Sequence, residues 1–159
     1  PWEDDAVTSA PSVVRFDAVD GGHAYLANEY PATVTIEGEA FPTVEHAYWA
    51  LATNDPERRR LIARAPTGRE ARRMGQRASL RPDWPVVRLA VMTQLVREKF
   101  RQHPELTAKL VATGDGRLIN GAGFSPYWAV QNQGRNWLGR ILELVRAELV
   151  EGRQTEGKG

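Results

Sequence analysis

The chain contains no cysteine among its 159 residues, which excludes disulfides, thiolate metal sites and a cysteine nucleophile. It also lacks any apolar run long enough to cross a bilayer and any secretory segment, so no membrane partner is expected and the cytoplasm is the expected compartment. Its three histidines, His23, His46 and His103, lie far apart, and none forms a metal-ligand spacing with another. No Walker or Rossmann glycine signature occurs; Gly114-Asp115-Gly116 is too short and suits a turn. A Gly-x-Ser-x-Gly elbow is absent as well. Metal-dependent hydrolysis, nucleotide triphosphate hydrolysis and serine catalysis are therefore not expected, and no cofactor is implied. A net charge of +1 creates no strong global field toward nucleic acid or a membrane surface.

What is present reads as an ordinary globular protein, with 42% hydrophobic and 26% charged residues. The length suits one domain with a core large enough to fold without staples. Residues 1–11 mix acids, proline and small polar groups and read as a flexible leader. Residues 12–151 form the expected domain, and the polar residues 152–159 read as a flexible tail. Ser12 to Phe16 suits a short strand, and Ala32 to Phe41 alternates around Glu37-Gly38-Glu39 as a hairpin of two short strands. Thr43 opens a helix to about Thr53. Asp55-Pro56 restarts one to about Ala65, with Asp as cap and Pro in the first turn. Thr67-Gly68-Arg69-Glu70 matches a capping box for a short basic helix ending near Ala78. A long helix is expected from Pro82 to about Gln102, with Leu89, Met92, Val96 and Phe100 as its buried stripe. Pro104 begins another, to Val111. Thr113 to Gly134 is rich in Gly, Asn and Ser, with a short strand at Arg117 to Ile119, and Leu138 to Leu149 makes the last amphipathic helix. The expected fold is α+β, predominantly α-helical, with a small β element near the N-terminus.

The stretch from Phe41 to Trp49 carries most chemistry. Thr43 precedes Glu45, so the carboxylate falls in a first helical turn, where the helix dipole favours negative charge. Beside the rings of Tyr48 and Trp49 it can exchange a proton or stabilise a cationic transition state, or it can simply serve the helix start. Ten arginines lie between Arg58 and Arg88, and their planar forks suit phosphate or carboxylate, although a solvated helical face explains most of them. Trp84 and Trp137 sit at helix starts and read as core anchors. Tyr127-Trp128 lies in the Gly-rich segment, where a loop can present rings to a ligand.

Taken in order, these segments resemble the NADAR or YbiA-like proteins, N-glycosidases acting on ribosylated compounds, from about Tyr25 to Leu149. The matching pieces are Ala27-Asn28-Glu29-Tyr30-Pro31, Pro42-Thr43-Val44-Glu45-His46, Arg72-Arg73-Met74-Gly75, Trp84 to Met92, Lys99-Phe100, Tyr127-Trp128 and Asn136-Trp137-Leu138-Gly139. Each is weak alone; their order and spacing together are specific. The resemblance implies a single YbiA-like domain with a pocket for ribose phosphate or ADP-ribose, and cleavage of a C1′–N bond. Its implied substrates are early riboflavin-pathway intermediates or guanine carrying ADP-ribose, with ADP-ribosylated DNA or RNA as partner and reversal of ADP-ribosylation as outcome. Glu45 is the implied catalytic residue, facing the oxocarbenium character that builds on the sugar, or acting as base. Substrate-binding roles are implied for Asn28, Tyr48, Trp49, Arg72, Arg73, Gly75, Tyr127, Trp128 and Asn136. Among these, Arg72 or Arg73 would hold phosphate, Asn28 and Asn136 would bond ribose or base edges, and Trp128 would stack.

Three departures bear on mechanism. The family carries Gln and Lys where this chain has Trp49 and Ala52. It carries Trp-Gly-Asp where this chain reads Trp128-Ala129-Val130, and an Asp before Tyr-Trp where Ser125-Pro126 stand. Asp115 and Glu29 are candidate substitutes for the missing carboxylate. A non-catalytic ADP-ribose or nucleotide-binding module is the alternative function. Direct nucleic-acid binding through the Arg58–Arg88 cluster is a third.

Overall fold

The first three helix starts are set by side chains placed one residue ahead of each helix. In a computed structural model, which describes residues 12–17, 21–123 and 125–158, Thr43 caps α1 (Val44–Leu51) by accepting from the His46 amide at 3.2 Å. The expected leader at residues 1–11 lies outside the described residues. Asp55 caps α2 (Pro56–Ala63) through the amides of Glu57 and Arg58, with proline opening the helix. Thr67 caps α3 (Gly68–Arg77) through the Glu70 amide. Helices α4 (Trp84–Gln102), α5 (Pro104–Ala112) and α6 (Trp137–Glu156) follow. The last helix continues beyond Val150 into the segment expected as a flexible tail. Backbone hydrogen bonds carry a helix onward through polar residues once an apolar stretch has fixed its start.

Among the described residues, four short strands complete the α+β fold: β1 (Val13–Phe16), β2 (Val34–Ile36), β3 (Glu39–Phe41) and β4 (Arg117–Asn120). β2 and β3 form the expected hairpin, and Glu37 and Gly38 turn it with φ of 51° and 80°. Two consecutive positive φ values give the turn whose twist matches that of the strands. β1 pairs in parallel with β4, Val13 opposite Arg117 and Phe16 opposite Asn120. A parallel pair needs a long crossover, and here helices α1 to α5 supply it.

Helix α1 is the centre of the packing. Val44, Glu45, His46, Ala47, Tyr48 and Ala50 are all buried, against α2, α3 and α4. Its buried histidine is satisfied on both ring nitrogens. His46 Nε2 lies 3.0 Å from the Ala65 carbonyl and Nδ1 lies 2.8 Å from Thr43 Oγ1, so the imidazole ties the helix start to the loop after α2. Lys99 of α4 is buried among Tyr30 and Phe100, and its Nζ donates to the carbonyls of Tyr25 at 2.6 Å and Ala27 at 2.9 Å. Those bonds fix the 3₁₀ turn Ala24–Leu26, and the next link is the Glu45 amide donating to the Asn28 carbonyl at 3.1 Å. Lys99 thus anchors the loop that faces Glu45.

Candidate active site

An open cavity of about 630 Å³ lies between the Asn28 loop, α1, α3, α4 and the loop after β4. Of the residues implied by the resemblance, Asn28, Glu45, Tyr48, Trp49, Arg72 and Trp128 line it. Glu45 is buried, and its Oε1 is held by two donors: Trp49 Nε1 at 3.0 Å and Arg72 Nη1 at 3.4 Å. Its Oε2 has no hydrogen-bond partner among the described residues. Trp49 reaches Glu45 because i and i+4 share a helical face. Arg72 comes from α3, and the same Nη1 donates to Glu29 Oε1 at 2.7 Å. One guanidinium therefore bridges two carboxylates at the cavity wall. Burial pushes the Glu45 carboxyl up from its ordinary range; Trp49 and Arg72 pull it down, and the charge of Glu29 adds to the rise.

Aromatic rings line the same cavity. Tyr48 meets Trp84, Trp49 and Trp128 with ring centres 4.9, 5.2 and 5.6 Å apart, the last two edge-on. Burial raises the Tyr48 hydroxyl to about 12, so it remains a neutral phenol over the working range. Asn120 holds the Trp128 loop: its Nδ2 donates to the Trp128 carbonyl at 3.1 Å, and its Oδ1 accepts from the Ala122 amide.

Four of the implied binding residues stand behind the cavity. Arg73 is exposed and pairs with Glu70 at 3.1 Å. Arg69, Arg72 and Gln76 occupy the cavity face of α3, and Arg73, one residue out of phase, turns away. Gly75 is the contact point of α3 with α1, since a Cβ there would come within 2.5 Å of the Trp49 ring. Tyr127 packs edge-on against Trp128, 4.6 Å between centres. Asn136 is buried and spends its amide on backbone: Oδ1 accepts from the Asn120 amide and Nδ2 donates to the Leu118 carbonyl, both at 2.9 Å. It orients β4 and does not line the cavity.

Glu29, one of the two candidate substitute carboxylates, lines the cavity; Asp115 is exposed in the turn before β4 and does not. Trp84 and Arg88 line it as well. Trp84 is both a core anchor and a wall, because it is buried and faces the cavity. The signal for both residues was the spacing Trp84, Arg88, Met92, which puts three residues on one face of α4. Among the described residues no lysine lines the cavity, and Ala52, where the resemblance implied a lysine, is fully buried. Among the described residues there is no cluster of three metal-ligating side chains, and no helix is long and apolar enough to cross a membrane.

This arrangement, a buried carboxylate at a helix start facing an aromatic wall, defines a candidate glycosidase-type pocket on a small α+β fold. Residues 16–150 match the NADAR domain, and the chain belongs to that family. It is 31% identical over 143 residues to the N-glycosidase YbiA of Escherichia coli (strain K12), covering 87% of this chain and 89% of that protein. It is 37% identical over 142 residues to a riboflavin biosynthesis protein of Vibrio vulnificus, covering 87% of this chain but 39% of that longer protein. The NMR structure of E. coli YbiA shares the fold with a TM-score of 0.81 at 29% identity, over 90% of this chain and 88% of that one.

Proposed function

We propose that this protein is an N-glycosidase that hydrolyses the bond between a ribosyl C1′ and a base, with Glu45 as the catalytic carboxylate. The observation that carries this is the state of Glu45: buried, with Oε1 pinned by Trp49 and Arg72 while Oε2 is left unengaged at the cavity wall. As the C1′–N bond breaks, positive charge builds on the sugar, and a fixed carboxylate in a low-dielectric wall stabilises it. The base leaves with the bonding electron pair, water adds its oxygen to C1′, and the proton that water gives up passes through Oε2 to the departed base, which restores the carboxylate. A carboxyl raised by burial is a better proton acceptor near neutral pH than an ordinary one. Names of relatives that include N-glycosidase support the reaction class. The clustered rings of Tyr48, Trp84 and Trp128, tilted or edge-on to one another, suit a planar base.

Two substrates fit this reading: guanine carrying ADP-ribose in nucleic acid, and ribosylated intermediates of the riboflavin pathway. The test is incubation with both in parallel, products read by mass spectrometry, with Glu45→Gln as control. Release of ADP-ribose makes the protein a remover of ADP-ribosylation, and release of ribose 5-phosphate makes it metabolic. Tight ADP-ribose binding with no release from either substrate overturns the enzyme reading and leaves a binding module.

A further inference from the structure

Three arginines line the cavity, and they are not equivalent. Arg72 is engaged by Glu29 and Glu45. Arg69 is exposed in the first turn of α3. Arg88 is half-buried, pairs with no carboxylate among the described residues, and keeps a buried Nε without a hydrogen-bond partner. Its guanidinium carbon lies 3.8 Å from the centre of the Tyr127 ring. That ring is itself wedged between Trp128, at 4.6 Å, and Trp137, at 6.2 Å.

Stacking satisfies the face of a guanidinium and leaves its N–H edge unserved. A buried N–H donor left unserved is unfavourable unless something supplies an acceptor. Among the described residues none is supplied, while Tyr127 holds the planar group at the edge of a cavity large enough for a ligand. The acceptor that fits a rigid fork of N–H donors is an oxyanion, and phosphate is the strongest common one. Arg88 of α4 and Glu45 of α1 both line this one cavity. A ribosyl group that reaches Glu45 with its anomeric carbon can therefore extend a phosphate toward Arg88. Arg73 is absent from the cavity, and the Arg72 Nη1 nearest the catalytic carboxylate is already shared between two acids.

We propose that Arg88, braced on Tyr127, is the anion-binding residue of the site and selects ribosyl ligands that carry a phosphate over the same ligands without one. The identity of the sugar rests on the glycosidase reading; the anion preference does not. Calorimetry with ribose 5-phosphate and ribose as probes tests it on the parent, Arg88→Gln, Arg88→Lys and Glu45→Gln. Ribose 5-phosphate should bind the parent and Glu45→Gln alike and should bind Arg88→Gln roughly ten- to a hundredfold more weakly, the loss of one charge-assisted contact. Arg88→Lys should recover part of that, since it keeps the charge and loses the fork. Ribose binding should be the same in all four. If the glutamine variant does not fold, the lysine variant decides by the same readout. The proposal is overturned if the parent does not prefer ribose 5-phosphate over ribose, or if the Arg88 variants keep parental affinity or lose both probes equally. Binding with this pattern but without cleavage of any substrate would sink the glycosidase reading alone. Cleavage with unchanged probe binding in the Arg88 variants would sink this proposal alone.

Discussion

Replacing Arg72 by methionine should raise the pH at which activity sets in. The Arg72 Nη1 lies 3.4 Å from Glu45 Oε1 and 2.7 Å from Glu29 Oε1, on a side chain 37% exposed. Two unit charges at 4 Å interact by about 4 kcal/mol at an effective dielectric near 20. Solvent screening and the sharing of one cation between two carboxylates reduce that figure here. A neighbouring guanidinium lowers a carboxylate, and the exposed, shared geometry here keeps that effect at the small end of its range. The sign follows from the role of Glu45. Activity needs its carboxylate, so kcat/KM falls as pH drops through the raised value for that group. Removing Arg72 takes away a charge that lowers it, and the acid limb moves to higher pH. Glu29→Gln removes a charge that raises it, and the limb moves to lower pH. The assay is kcat/KM against pH for the parent and the two variants. An Arg72→Met limb that stays in place or moves down, or two variants shifting in the same direction, would refute this electrostatic picture of Glu45.

Gly75→Ala should destabilise the fold by about 1–2 kcal/mol in urea titration. The new Cβ would meet the Trp49 ring, and overpacking of about 1–3 kcal/mol outweighs the gain in helix propensity of up to about 1 kcal/mol. The same variant should lose activity, because Trp49 is displaced from Glu45. Lys99→Met should destabilise by about 2–4 kcal/mol, as the carbonyls of Tyr25 and Ala27 lose their donor. Burial lowers the Lys99 amine to about 7, whereas the unfolded chain titrates near 10.5. Between those values the unfolded state binds more protons, so parental stability should rise with pH relative to Lys99→Met, as thermal melts across that range would show.

Local signals were readable wherever one residue dictates a backbone choice. Thr43, Asp55 and Thr67 each accept from an amide of the helix they open, so three starts were visible in four-residue windows. Glu37-Gly38 announced the hairpin in the same way. The placement of Glu45 in a first turn beside Tyr48 and Trp49 also followed from spacing. The pairing of β1 with β4 did not, because it joins residues more than a hundred positions apart and no local pattern encodes the register. Arg72 and Arg73 are neighbours in sequence, yet helical phase sends one to the cavity and the other to Glu70. Asn136 resembles a ligand-binding residue in composition, but its amide replaces missing backbone partners between Leu118 and Asn120. Arg88 was hidden among ten arginines, and only the ring of Tyr127 beneath it sets it apart.

The most direct test of the account compares cleavage and binding in Glu45→Gln. Glutamine keeps an oxygen that can accept from Trp49 and Arg72, so the pocket should stay intact and ADP-ribose should bind within a few-fold of the parent. Loss of the carboxylate should lower single-turnover release of the base by roughly 10²- to 10⁴-fold. A Glu45→Gln protein that binds ADP-ribose and releases base as fast as the parent would contradict the assignment of Glu45 as the catalytic carboxylate.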